Sequence, residues 1–96
     1  MKYKFFLVKE LTNTQGQDGS KISIYENEDL DTAKNNAIVG YHQLLASLHN
    51  ADDVLYAVVQ LHDEYGNVLG GEHGYKEIVD HRPKPEPEPS NQNTGA

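Results

Sequence analysis

The stretch LDTAKNNAIVGYHQLLASLH, residues 30–49, decides how this chain folds. Most of its apolar residues, Leu30, Ala33, Ala37, Ile38, Tyr41, Leu44, Leu45 and Leu48, recur with a spacing of three and four, which gathers them on one stripe of an α-helix. Asp29 stands where an N-cap acceptor is needed, Asp29 and Asp31 suit the positive end of the helix dipole, and Asn50 can end the helix. Gly40 falls mid-helix at a cost of about 1 kcal/mol relative to alanine, so either the backbone packs closely there or the cost is tolerated. A helix with one apolar stripe must bury it, and the flanking sequence supplies a sheet.

Before the helix, KYKFFLVK at residues 2–9 mixes aromatic and branched residues in a way that suits a central strand, apolar on both faces. A polar loop with Asn13, Gly16, Asp18 and Gly19 leads into residues 20–25, where Ile22 and Ile24 alternate with Ser23 and Tyr25 and complete a hairpin. After the helix, VLYAVVQLH at residues 54–62 reads as a third strand, followed by the turn DEYGN with Gly66 where positive φ is required. Glycines at 70, 71 and 74 then precede Tyr75 to Val79 and point to a bulged or edge strand. The expectation is an α+β, ββαββ two-layer sandwich. Its four-stranded, mainly antiparallel sheet has order 2-1-3-4, and one helix over about 30–49 lies on one face. Parallel pairing of the two helix-linked strands is the alternative topology.

The chain has 96 residues, enough for one modest core, and the domain is expected over 1–80. All four prolines lie in HRPKPEPEPSNQNTGA, residues 81–96, a composition that cannot bury apolar surface and reads as a disordered tail, either spacer or recognition motif. Fifteen acidic residues against eight basic ones give a net charge of −7, which argues against nucleic acid as a partner and would suit a basic one. Absence of cysteine removes disulfides, thiolate chemistry and cysteine zinc sites, and fits a reducing compartment. Lysines at 2, 4 and 9 interrupt the first apolar run, no stretch approaches a membrane span, and a cytoplasmic location is expected.

One helix cannot cover both faces of the sheet. With Tyr3, Phe5, Leu7, Ile22, Ile24, Leu55, Ala57, Val59 and Leu61 turned to the helix, the period-two rule sends Phe6, Val8, Tyr25, Tyr56 and Val58 to the other side. Such a patch is the expected surface for a protein partner or a homodimer. The alternative is an acidic inhibitor or nucleic-acid mimic presenting Glu26, Glu28, Asp29, Asp31, Asp52 and Asp53 to a basic surface. A histidine-based enzyme or metal binder is the most distant reading. His42 and His49 stand two turns apart, and His62, Asp63 and Glu64, or Glu72 and His73, lack a zinc spacing. Asn27, Asp29 and Asp31 copy the start of a calcium loop, but Thr32 and Ile38 stand where glycine and glutamate are required. The glycines match no phosphate-binding loop, and no serine sits in a nucleophile elbow. No enzyme activity, cofactor or metal is expected.

The sequence KYKFFLV, the acidic helix start, the Tyr-His helix, AVVQLHDEYGNVL and the PKPEPEP ending together resemble short uncharacterised proteins of Gram-positive gut bacteria and their prophages. That resemblance implies an accessory role in a phage or mobile element, and it transfers no activity and no site residues.

Overall fold

The carboxylate of Asp29 accepts hydrogen bonds from the Thr32 amide at 2.9 Å and the Thr32 hydroxyl at 2.8 Å, and so caps a helix. The computed structural model, which describes residues 1–70 and 74–83, runs this helix, α1, over Leu30–Asn50. At its far end the Asn50 side chain donates to the Ala46 carbonyl, and Ala51 turns the backbone into an extended conformation. The strands are β1 (Tyr3–Asn13), β2 (Lys21–Asn27), β3 (Val54–Asp63) and β4 (Lys76–Asp80). They form one sheet in the order β2-β1-β3-β4, with every neighbouring pair antiparallel. The two helix-linked strands, β2 and β3, are not neighbours, so the parallel alternative does not arise.

The core lies between α1 and one sheet face. From the helix, Ala33, Ala37, Tyr41, Leu45 and Leu48 pack on Phe5, Leu7, Ala57, Val59, Leu61 and Val79. Leu61, Val59 and Val79 are completely buried, each worth about 1.5–3 kcal/mol of transfer free energy. Ala33 and Ala37 keep the helix close to the sheet. Leu30, expected on the stripe, is 45% exposed, because as the first helical residue it overhangs the end of the core.

Two local features set which side chains face where. In β3 the register shifts between Thr12, which pairs with Tyr56, and Asn13, which pairs with Val54. The slip at Leu55 lets Val54 enter the core beside Ala57, Val59 and Leu61 and leaves Leu55 half-buried. In β2 the pairing of Phe5 with Tyr25 and of Leu7 with Ser23 turns Tyr25 and Ser23 towards α1. Ile22 and Ile24, expected to face the helix, therefore point away from it, because neighbours along a strand occupy opposite faces.

The β1–β2 and β3–β4 hairpins open on the same turn. Asn13 Oδ1 accepts from the amides of Gln15 and Gln17, and Asp63 Oδ1 accepts from those of Tyr65 and Asn67. Gly16 and Gly66 stand at φ 81° and 85°, a left-handed conformation that a side chain would strain. The last strand, β4, ends at Asp80. Residues 84–96, the greater part of the expected tail, lie outside the described residues.

Candidate functional site

The pairing registers lay out the helix-free face row by row. Ile24, Phe6 and His62 form one row across the sheet; Ile22, Val8, Gln60 and Lys76 form the next. Glu10, Val58 and Ile78 follow, then Thr12, Tyr56 and Asp80. Apolar side chains hold the middle of this surface. Ile22 is 60% exposed, Ile24 58% and Ile78 52%, while Phe6, Val8, Tyr56 and Val58 are half-buried beside them.

Charged groups rim the patch. Lys4 lies opposite Glu26 at one end, and Lys2 Nζ approaches Glu26 Oε1 to 3.8 Å. At the other end Arg82 binds Asp80 through two contacts, Nε to Oδ1 at 2.9 Å and Nη2 to Oδ2 at 2.8 Å. The same guanidinium lies 4.5 Å from the centre of the Tyr56 ring, a cation–π contact that holds the ring's orientation. The Asp80 carboxylate raises the Arg82 pKa further above its ordinary value. His62 Nε2 lies 2.8 Å from Gln60 Oε1, which ties these two polar side chains of the face to each other.

Of the five residues expected on this surface, Phe6, Val8, Tyr56 and Val58 are there and Tyr25 is not. Tyr25 shares the helix side with Phe5, and its ring lies so close to α1 that a Cβ added at Gly40 would fall 2.6 Å from Tyr25 Cζ. Gly40 thus answers the first of its two sequence readings: the backbone packs closely there. Ile22, Ile24 and Ile78 are the residues that the sequence reading missed. The signal was present in the glycine, since a small residue in mid-helix marks where a bulky partner must come in.

The six acidic residues do not form one patch. Glu26, Glu28, Asp29 and Asp31 cluster before and at the start of α1, whereas Asp52 and Asp53 follow its end, roughly 30 Å away along a helix of this length. Asp29 is committed to its cap, where the Thr32 hydroxyl and amide hold its carboxyl below the usual value, and the Asn27 side chain accepts from the Asp29 amide. The described histidines are dispersed. His42 stands edge-on to the rings of Tyr41 and Tyr75, His49 meets Glu77 at 2.9 Å, and His81 Nδ1 lies 3.1 Å from the Val54 carbonyl. Glu72 and His73 lie outside the described residues. Among the described residues no three histidine, aspartate or glutamate side chains gather in a way that could hold a metal, and no helix is long and apolar enough to cross a membrane.

On the helix side, a cleft of about 310 Å³ opens along β2 and is lined in part by Lys9, Lys21, Tyr25 and Gly40. Lys9 and Lys21 are directly opposite across the β1–β2 pair, a like-charge arrangement that weakens the pairing there. No protein-family model matches the chain, and neither a curated protein nor a solved structure matches it.

Proposed function

We propose that the chain is a small protein-interaction module whose working surface is the helix-free sheet face. One observation carries the reading: three isoleucines, each more than half exposed, stand contiguous with Phe6, Val8, Val58 and Tyr56 on a single face, framed by charge. Isolated exposed apolar residues are ordinary, but a contiguous patch of this kind on a domain this small marks a surface that works by being covered. An aromatic at each end, a branched aliphatic centre and a charged rim make up the usual anatomy of an interface. The resemblance to prophage-borne proteins agrees with an accessory part that acts by contact, and the cysteine-free composition agrees with a cytoplasmic setting.

Site-specific cross-linking in cells tests this. A photo-reactive residue installed at position 24 is expected to give discrete covalent protein adducts, and one installed at Val39, exposed on the outer side of α1, is expected to give none. Equal labelling at both positions, or none at position 24, refutes the reading.

A further inference from the structure

The open face needs a cover, and its own geometry identifies one. We infer that the occupant is a second copy of this chain, packed sheet to sheet about a twofold axis that runs along the diagonal Ile24, Val8, Val58. The inference rests on the open face being a protein-binding surface and commits it to one partner.

Residues 84–96 do not supply an apolar cover. Residues 84–96, KPEPEPSNQNTGA, contain no valine, leucine, isoleucine or aromatic residue to set against Ile22, Ile24 and Ile78. The described chain also leaves the sheet at the corner where Arg82 stacks on Tyr56, the far end of the face from Ile24.

The registers then decide the geometry. Neighbouring strands lie about 4.8 Å apart, and residues on the same face of one strand about 6.7 Å apart. On that grid Ile24, Val8 and Val58 are successive steps of one strand across and two residues along, so they fall on a straight diagonal. A twofold axis along it sets each of the three against its own mate. It also carries Phe6 onto Ile22 of the second copy, Tyr56 onto Ile78, and Glu10 onto Gln60. Apolar groups meet apolar groups, and the polar pair inside the contact is a carboxylate facing an amide donor. Lys76 comes down beside Glu10 of the second copy, whereas within one chain β3 separates these two residues. The diagonal ends at Asp80, where the bidentate Arg82 of each chain brings a compensating cation to the two carboxylates.

Other axes fail. One parallel to the strands sets Phe6 on His62, Val8 on Gln60 and Ile22 on Lys76. One perpendicular to them sets Val8 on Glu10 and Ile78 on Lys76. The opposite diagonal brings Glu10 and Gln60 each onto its own mate, sets Phe6 beside Lys76 and carries Ile24 past β4. The favoured axis crosses the strands of the two sheets at roughly 70°, nearer orthogonal than aligned sheet packing. A flat footprint of roughly 400 Å² per copy is small for a specific interface, so the dimer is expected to dissociate with a Kd on the order of micromolar.

The test is analytical ultracentrifugation of the purified full chain across a micromolar concentration series, with circular dichroism to verify folding of each variant. Wild type is expected to pass from monomer to dimer, and Ile22→Asp to remain monomeric while folded. Glu10→Lys and Lys76→Glu each alter the contact twice in a twofold dimer, so each alone is expected to weaken it about tenfold. Mixed together, the two variants restore both ion pairs across the interface, and a heterodimer of near wild-type affinity is expected. Wild type that stays monomeric throughout, or single variants that dimerise as wild type does, or a mixture with no recovery, overturns the second copy as occupant. If position 24 meanwhile cross-links to a different protein in cells, the interaction face stands and only this inference falls; if it cross-links to nothing, both fall.

Discussion

Tyr25 and Gly40 show how one contact between two residues fixes a strand's orientation. With glycine at 40 the hydroxyl end of the Tyr25 ring reaches the helix backbone; any side chain there collides first with the Tyr25 hydroxyl and then with Cζ at 2.6 Å. Gly40→Ala is therefore expected to destabilise the fold by about 1–3 kcal/mol, the usual cost of overpacking, although alanine is the better helix former. Tyr25→Phe removes the atom in closest conflict. Chemical denaturation of the two single variants and the double variant should show the alanine costing less in the phenylalanine background. An equal cost in both backgrounds would mean that Tyr25 does not set the requirement for glycine.

The paired turns supply an internal control at the scale of elements. Asn13 and Asp63 do the same work, each accepting two backbone amides into a turn closed by a glycine at positive φ. Only the aspartate titrates. The Asn67 amide, with further help from Tyr65, holds the Asp63 carboxyl below the usual value, as the Ser20 hydroxyl does for Asp18 and the Thr32 hydroxyl for Asp29. A carboxyl depressed on folding adds stability above its unfolded value near pH 4, and that contribution fades as pH falls through the lower folded value. Urea midpoints measured from pH 7 down to pH 2 are expected to decline below about pH 4. Asp63→Asn, copying Asn13, is expected to keep the neutral-pH midpoint close to wild type and to flatten that decline. A steep loss at neutral pH would show that charge, rather than acceptor geometry, builds the second turn.

For the whole molecule, the antiparallel order β2-β1-β3-β4 puts two doubly paired strands in the middle and two singly paired ones at the edges. The core residues Leu7 and Leu61 face each other across the central pair, and α1 lies above them. Native-state hydrogen exchange is expected to find its slowest amides on β1 and β3. β2 is expected to open earliest at its Lys21 end, where Lys9 and Lys21 repel each other. Maximal protection on β2 or β4 would contradict this ordering. Because a face-to-face dimer adds no strand to the ladder, the edges stay the first to open even when two copies associate.

The sequence by itself determined the elements and the capping of the helix, because period, turn chemistry and cap preference are local and each residue carries its own signal, whereas the order of the strands was an expectation with a parallel alternative that only the pairing removed. The third strand was legible as a strand for the same reason, since VLYAVVQLH is rich in branched and apolar residues wherever it is placed, but the slip that puts Val54 rather than Leu55 in the core was not. The faces of the second strand were not. Ile22 and Ile24 alternate with Ser23 and Tyr25 equally well in either orientation, so the choice fell to the pairing register with β1 and to the space that Gly40 leaves for a tyrosine. That non-local choice moved two isoleucines onto the open face and one tyrosine off it. The separation of the acidic residues at 26–31 from those at 52–53 needed no tertiary choice, because the helix expected over about 30–49 already lay between them. Composition and periodicity therefore sufficed for the elements, and tertiary packing alone decided which side chains the open face presents, because a one-residue register difference exchanges the two faces of a strand at no cost that the strand's own sequence reveals.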